Sequence, residues 1–218
     1  MKKSLEKLID TSLAIENNPL TGDDLGYMAR ALILATLPHS KPSSNEFVRV
    51  NGDYSLSMLA PSKVGLPYGS MPRLILAWLT REAVRTKERE LELGDSLSEF
   101  MRELGLNPTG GRWGTITTLK TQLRKLIACS IQFSYSTSQT DQYQNIQPIR
   151  KAVLWWDEAK QPDQKTLWKS TITLSEEFFK EVTDRPIPID LRALKALKRS
   201  PLALDLYIWL TYRVSYLR

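Results

Sequence analysis

The feature of the sequence that most constrains the fold is a pair of amphipathic helices separated by a turn that contains proline and glycine. Ser96 and Glu99 have the spacing of a capping box, which marks the start of the first helix. Apolar residues follow at i, i+3, i+4 and i+7: Leu97, Phe100, Met101 and Leu104. Gly105 is the expected left-handed end of this helix. A longer helix is predicted over residues 112–129, and this order is typical of a helix-turn-helix unit.

The predicted helix over residues 112–129 has one apolar and one polar face. Placed at 100° per residue, its apolar face carries Ile116, Leu119, Leu123, Leu126 and Ile127. Its opposite face carries Thr117, Thr118, Thr121 and Lys125, with Gln122 and Arg124 at the margins. Short hydroxyl side chains followed by basic ones suit a helix that enters the major groove of duplex DNA. The candidate DNA-binding residues are therefore Arg112, Trp113, Thr117, Thr118, Lys120, Thr121, Arg124 and Lys125.

The distribution of charge supports the same interpretation. The formal net charge is +6, and every charged residue between Leu104 and Thr140 is basic. Lys and Arg side chains that neutralise phosphates provide most of the sequence-independent affinity for DNA. The free N–H groups of a helix that follows Gly110 and Gly111 add a natural phosphate site. A nucleotide-binding loop is a poor alternative, because this glycine segment lacks the P-loop lysine and does not follow a predicted strand.

Antiparallel strands are predicted after the second helix. Residues 131–135 alternate between apolar and polar side chains, which indicates a strand with one buried face. Further strands are predicted near residues 149–156 and 168–174, and the polar segment 137–147 is predicted to be a loop that forms the tip of a wing. The tryptophans of the two later strands are interpreted as core residues rather than base-stacking ones: Trp155, Trp156 and Trp168.

The predicted fold class is α+β: a winged helix-turn-helix domain with an antiparallel β-sheet wing, flanked by N- and C-terminal helices. The N-terminal part is predicted to hold a helix in its first twenty residues, a second helix over residues 25–37 closed by Pro38, and a hairpin turning at Asn51-Gly52. A strong helix is predicted from residue 72 to residue 87. Three units are predicted: N-terminal helices and hairpin over residues 1–64, the winged-helix domain over 65–183, and further helices over 184–218.

The rarity of cysteine and histidine narrows the function classes. Cys129 and His39 are the only residues of their types, which excludes an internal disulfide, a cysteine-rich metal site and most histidine-based hydrolase machinery. Neither a signal peptide nor a membrane-spanning segment is visible, since the most apolar stretch, 25–37, is short and contains Arg30. The sequence predicts a soluble, cytoplasmic protein that is not an enzyme and needs no cofactor or metal.

Several short segments of the chain match a known family pattern. These segments are Gly65-Leu66-Pro67-Tyr68-Gly69, the helix from Pro72-Arg73-Leu74 to Thr86-Lys87, Leu93-Gly94-Asp95-Ser96-Leu97-Ser98-Glu99-Phe100, Leu104-Gly105-Leu106 with Gly110-Gly111-Arg112, and Ser200-Pro201-Leu202-Ala203-Leu204-Asp205-Leu206-Tyr207. In them the chain resembles plasmid-encoded replication initiators of the Rep protein class, RepA type. The resemblance implies binding to repeated duplex DNA sites at a plasmid origin, local duplex opening and recruitment of host replication proteins, without enzymatic activity.

The resemblance also implies two winged-helix units, of which residues 184–218 begin the second. The sequence stops at Arg218, where a second recognition helix is expected, so the second unit is predicted to be truncated. The last helix has an apolar face that favours self-association: Leu202, Leu206, Trp209 and Leu210. The alternative function is therefore a winged-helix dimerisation module, or a transcriptional repressor, without initiator activity.

Overall fold

The computed structural model describes residues 2–154, 170–215 and 217 of the chain. The helices in those residues are α1 Lys2–Asn17, α2 Arg30–Leu34, α3 Ser70–Thr86, α4 Leu97–Glu103, α5 Thr115–Ala128, α6 Glu176–Asp184, α7 Leu191–Leu197 and α8 Pro201–Ser215. The strands are β1 Leu25–Met28, β2 Glu46–Asn51, β3 Tyr54–Leu59, β4 Glu90–Glu92, β5 Ser130–Ser136, β6 Asp141–Ile146, β7 Ile149–Val153, β8 Thr171–Leu174 and β9 Ile187–Asp190. They form antiparallel sheets with the strand orders β1-β9, β2-β3-β5-β6 and β4-β8-β7. The predicted α+β class with antiparallel strands is confirmed.

Helix α3 forms the centre of the hydrophobic core. Every residue from 72 to 80 is buried, including the basic Arg73. The helix packs against β1, α5, α6 and α8. The ring of Trp78 meets the ring of Phe100 edge-on at 4.9 Å, which holds α4 against α3. Since fully burying a side chain such as Leu76 contributes about 1.5–3 kcal/mol relative to exposure, α3 supplies much of the free energy that stabilises the fold.

The sheet β4-β8-β7 packs beside α3 and α5. Leu91 of β4 pairs with Ile172 of β8, which also pairs with Ala152 of β7. The strands predicted near residues 149–156 and 168–174 are confirmed over β7 and β8. The three tryptophans interpreted as core residues lie outside the described residues, so that interpretation stays a prediction: Trp155, Trp156 and Trp168.

The sheet β2-β3-β5-β6 contains the predicted hairpin. Its register pairs Asn51 with Tyr54, so the two-residue loop is Gly52-Asp53, one residue later than predicted. Gly52 has a φ of 60°, and glycine in the first loop position suits a type II′ turn, whose twist matches that of the flanking strands. The pairing of β3 with β5 joins segments that are distant in the sequence. Local patterns therefore predict the hairpin but not the sheet to which it belongs.

The prediction that segment 137–147 forms a wing-tip loop is wrong. Most of the segment is β6, which pairs with β5 so that Gln144 lies opposite Phe133. The actual turn is short, with the Thr137 N–H donating to the Thr140 carbonyl at 2.9 Å. β6 is an edge strand that is exposed up to its last residue, so it lacks the alternation of apolar and polar residues that reveals a half-buried strand.

The prediction of one continuous helix over residues 25–37 is also wrong. Its first part is β1, which pairs with β9, and only Arg30–Leu34 is helical. Gly26 allows the strand to lie close to α7, because a Cβ at this position would come within 2.4 Å of the Leu191 side chain. The strand partner comes from the far end of the chain, so the apolar run alone could not distinguish strand from helix.

A buried ion pair attaches α8 to the core. Arg73, which is 3% exposed, donates to the Asp205 carboxylate from Nε at 2.6 Å and from a terminal nitrogen at 2.7 Å. The same guanidinium donates to the carbonyl oxygens of Leu37 and Gly69, each at 2.7 Å. These bonds satisfy a cation that could not otherwise be buried. The buried apolar residues of α8 are Leu204, Ile208 and Tyr212.

Residues 184–215 are thus joined to the earlier parts of the chain by the Arg73–Asp205 pair and by the β1–β9 pairing. The predicted unit boundaries after residues 64 and 183 stay predictions. In the described part of the chain, no helix combines the length and the apolar character needed to cross a bilayer.

Candidate nucleic-acid interface

Helix α5 has the two faces that its periodicity predicts. Its buried face is formed by residues that are 0% exposed: Leu119, Leu123 and Leu126. This face packs the helix against α3 and β7. The residues that project outward in one stripe, at i, i+4 and i+7, are Thr117, Thr121 and Arg124. The rigid attachment of the apolar face fixes the direction in which this stripe points.

The helix begins at Thr115, three residues later than predicted. Gly111 has a φ of 86°, which ends any helical continuation on its N-terminal side, and Gly114 is the N-cap in extended conformation. Arg112 and Trp113 therefore lie in the turn before α5 rather than in its first helical turn. Both are exposed, so they stay candidates for contact with a ligand, but as turn residues.

Reciprocal hydrogen bonds hold the turn that precedes α5. The Thr115 N–H donates to Oγ1 of Thr109 at 3.0 Å, and the Thr109 N–H donates to Oγ1 of Thr115 at 2.9 Å. The Thr115 hydroxyl in turn donates to the Asn107 carbonyl at 2.6 Å. A Cβ on Gly114 would lie only 2.2 Å from the Thr109 carbonyl oxygen, so this close packing requires glycine.

The turn presents an aromatic ring and a cation to solvent. Trp113 is 88% exposed, and the guanidinium of Arg112 lies 5.2 Å from the centre of its ring. Such a pair at an exposed site contributes about 0.5–1 kcal/mol. Tryptophan is usually among the more buried residue types. Its almost complete exposure beside the start of α5 therefore favours a role in contact with a partner.

The three threonines of the predicted DNA-binding set differ in their hydrogen bonds. Thr117 donates from Oγ1 to the Gly111 carbonyl at 2.9 Å, and Thr118 donates to the Gly114 carbonyl at 3.0 Å. These two hydroxyls use their protons within the protein, so they face outward as acceptors only. Thr121 is exposed and makes no side-chain hydrogen bond within the described residues, so its hydroxyl can both donate and accept.

Two residues of the predicted polar face turn towards the rest of the protein. Gln122 is 3% exposed, and its Oε1 accepts the backbone N–H of Tyr68 at 2.9 Å. The half-buried ammonium group of Lys125 lies 4.8 Å from the centre of the Tyr68 ring. Burial lowers the pKa of Lys125, and the positive charge of Lys41 lowers it further. Lys125 therefore lies at the border of the outward stripe, not within it.

The surface formed by the turn and the outward stripe of α5 is positively charged. Arg112 and Arg124 are exposed, and neither forms an ion pair with another described residue. Lys120 is half-buried at the side of the helix. Sequence patterns miss one neighbour of this surface, Tyr68, because it comes from the segment that precedes α3. Only the folded chain brings it beside α5.

One of two comparisons with solved structures shows a likeness of fold. A crystal structure of domains 2 and 3 of RctB aligns with a TM-score of 0.58 and 11% sequence identity, and the alignment covers 86% of this chain and 70% of that one. Another structure of RctB domains 2–3 aligns with a TM-score of 0.49 and 10% identity, covering 71% of this chain and 59% of that one. No curated protein matches the chain.

A family model gives a more direct relation. The model described as plasmid encoded RepA protein matches residues 66–218, which include α3 to α8 and the whole of the surface around α5. This is the family that the sequence resembles in its short segments. The chain belongs to the plasmid-encoded RepA protein family.

Proposed function

We propose that this protein initiates plasmid replication by binding repeated duplex DNA sites at the plasmid origin. Membership of the plasmid RepA family supports the role in replication. The observation that carries the DNA-binding part is the exposed, acid-free stripe on α5, a helix whose other face is fully buried. On this proposal the protein acts without enzymatic chemistry or a cofactor. Local duplex opening and recruitment of host replication proteins are its later steps.

The proposed DNA-binding unit is a winged helix-turn-helix. The order α3, β4, α4, α5, β7 and β8, with β4-β8-β7 as the order in the sheet, supports this assignment. The strands β7 and β8 take the place of the wing strands, and the hairpin β5–β6 is an insertion between α5 and the wing. In such units the second helix of the pair enters the major groove, which makes α5 the reading helix.

The dimensions of α5 suit this role. Its 14 residues span about 21 Å, and the major groove, about 12 Å wide, accepts one α-helix. In the proposed complex, Thr121 and Arg124 face base edges, where an arginine can donate two hydrogen bonds to a guanine. Arg112 and Trp113 lie at the N-terminal end of the helix, where backbone phosphates and sugars flank the groove.

The proposal is tested by measuring binding to origin repeats and to shuffled duplexes of equal length, over a range of salt concentrations. Fluorescence anisotropy is expected to show tighter binding to the repeats by about 1,000-fold or more, as for other specific DNA-binding proteins. The affinity for both duplexes is expected to fall as salt rises. Equal affinity for repeats and shuffled DNA contradicts origin recognition.

A single substitution tests the reading helix. Arg124→Ala is expected to weaken binding to the repeats by about 1–3 kcal/mol and to relax the preference at one base position, because a base contact is lost. The matched control is Lys7→Ala on the exposed side of α1, which removes one positive charge from a helix that packs against α7. If the two variants bind alike, α5 is not in the interface.

The alternative function, a dimerisation module or a repressor without initiator activity, is favoured by one observation. The side of α8 that faces away from the core is apolar and about half exposed, at Leu202, Leu206 and Leu210. Exposed apolar surfaces of this kind are typical of protein contacts. Light scattering together with a gel-retardation assay separates the two functions. A stable dimer that does not slow the migration of repeat DNA at low salt favours the alternative.

A further inference from the structure

A cavity of about 440 Å³ is lined by residues of α2, of the sheet β2-β3-β5-β6 and of α6. Its volume lies within the range of about 300–1,000 Å³ that is common for pockets that bind small molecules. Its lining includes Ala31 and Leu34 of α2 and Glu181 of α6. The described residues that line it all lie outside α5, so the cavity is separate from the proposed duplex-binding surface.

Aromatic rings line the cavity on the side of the sheet. The register places Tyr54 of β3 opposite Tyr135 of β5, and the centres of the two rings are 4.7 Å apart. Phe133 precedes Tyr135 by two residues, so the two side chains lie on the same face of β5. All three aromatic residues are half-buried. Rings at the border of an open space provide a surface on which a planar ligand can stack.

Two amide side chains adjoin these rings. In the ladder between β5 and β6, Gln144 lies opposite Phe133 and Gln142 lies opposite Tyr135, so each amide is on the same face as the ring that it adjoins. Neither glutamine forms a side-chain hydrogen bond with another described residue. An amide can both donate and accept a hydrogen bond. A ligand that stacks on the rings therefore has two amides available for its polar edge.

The lining also includes one carboxylate and one guanidinium. The half-buried Glu181 forms no ion pair or hydrogen bond with another described residue. A partly desolvated carboxylate that lacks a donor is unfavourable, so a ligand with N–H groups would stabilise it. Arg30, whose guanidinium lies 5.9 Å from the centre of the Tyr212 ring, adds a positive charge that attracts an anionic group. The cavity therefore suits a ligand that combines a planar ring, an N–H donor and an anion.

We propose that this cavity binds a nucleotide whose base carries an exocyclic amino group, such as cytosine or adenine. The base stacks on Phe133 and Tyr135, its amino group donates to Glu181, and its phosphate is attracted by Arg30. Glutamate is a suitable acceptor for the amino group of cytosine, whereas uracil and thymine have a carbonyl oxygen at the same position. A free nucleotide and an unpaired nucleotide of a DNA strand present the same groups. The inference goes beyond the proposed function, which concerns paired DNA at α5.

The first test compares the binding of dCMP and dUMP by isothermal titration calorimetry. The bases of these nucleotides have almost the same shape, but uracil has a carbonyl oxygen where cytosine has the amino group. We expect dCMP to bind about 10-fold more tightly or better, because dUMP cannot donate this hydrogen bond to a charged acceptor. Equal affinities, or no binding of either nucleotide, would overturn the proposal.

Two variants connect the binding to the cavity. Glu181→Gln should reduce the difference between dCMP and dUMP, because an amide can also donate to the carbonyl oxygen of uracil. Ala31→Leu should fill part of the cavity and prevent dCMP from binding, while the melting temperature stays equal or rises because apolar surface is buried. The matched control is Glu177→Gln, on an exposed position of α6 outside the lining, which should bind both nucleotides as the wild type does.

A short strand of deoxycytidine distinguishes the two sources of the nucleotide. If the wild type binds this strand more tightly than dCMP, and Ala31→Leu removes the difference, the occupant is an unpaired nucleotide of DNA. If the wild type binds the strand no more tightly than dCMP, the occupant is a free nucleotide. Both outcomes support the nucleotide site.

The outcomes also separate this inference from the proposed function. Arg124→Ala should bind dCMP as the wild type does, and Ala31→Leu should keep its affinity for duplex repeats. An unchanged preference in Glu181→Gln, or unchanged dCMP binding in Ala31→Leu, contradicts the nucleotide site and leaves duplex binding intact. Preferential binding of dCMP by a protein that does not distinguish repeats from shuffled duplex supports the cavity site and contradicts origin recognition.

Discussion

Helices α5 and α8 have almost the same length but expose opposite kinds of surface. Each buries one apolar face, with Leu123 in α5 and Leu204 in α8 both 0% exposed. The outward side of α5 carries threonine and arginine, whereas that of α8 carries Leu206, which is 50% exposed, and its apolar neighbours. A cationic surface free of acidic residues attracts a polyanion, and an apolar one attracts a protein surface. The two helices are therefore suited to different partners.

The largest effect on the free energy of unfolding is expected when the ion pair that attaches α8 to the core is broken. Asp205→Ala leaves the Arg73 guanidinium buried without its carboxylate, and such a loss destabilises by about 3–5 kcal/mol. Urea unfolding measures the effect. The control is His39→Ala, which removes the more exposed partner of Asp205, 31% exposed and 2.7 Å from the carboxylate, and should lower the free energy of unfolding by less than about 1 kcal/mol. Equal losses in both variants would mean that the buried pair does not hold α8 in place.

Matched leucine substitutions compare the buried face of one helix with the exposed side of the other. Leu123→Ala in α5 should lower the free energy of unfolding by about 2–5 kcal/mol, because it opens a cavity in the core. Leu206→Ala in α8 should change it by less than about 0.5 kcal/mol, as for other surface positions. Thermal unfolding of dilute protein gives both values. A large loss for Leu206→Ala would instead show that this side of α8 is covered in solution.

The smallest expected effect distinguishes two threonines within α5. Thr121→Val removes a hydroxyl that is free to bond a base, so it should shift the preference among single-base variants of the repeat by about 1 kcal/mol. Thr117→Val removes a hydrogen bond to the Gly111 carbonyl, so it should lower stability and leave base preference unchanged. Competition binding with variant duplexes measures the preference. A shift for Thr117→Val alone would place the reading surface nearer the N-terminal end of the helix.

Local periodicity predicts the parts of the molecule whose residues contact the core through one continuous face. The buried leucines of α5, the core helix α3 and the cap of α4 at Ser96, whose Oγ accepts the Glu99 N–H at 3.1 Å, all follow from residues close in sequence. The capping box is only half formed, because the Glu99 carboxylate accepts the N–H of Asp95 rather than that of Ser96. Spacing predicts that a cap exists but not which N–H it binds.

Long-range pairing explains the parts that the sequence does not predict. β6 is an exposed edge strand of polar residues, and β1 depends on β9 for its partner, so neither shows the pattern expected of its structure. The same reason hides Tyr68 from any local interpretation of the α5 surface. Charge and periodicity identify the outward stripe of α5, and the tertiary structure adds the neighbours that adjoin it.

A single residue, Cys129, joins the end of α5 to the start of β5, and it is 0% exposed. Because this junction is one residue long and fully buried, the end of α5 cannot move independently of the start of β5. If a bound ligand tilts or rotates α5, β5 must move with it. The hydrogen-bonded neighbours of β5, the strands β3 and β6, then transmit this movement to the rest of the sheet. The helix α5 and the sheet β2-β3-β5-β6 are therefore expected to move together as one rigid unit.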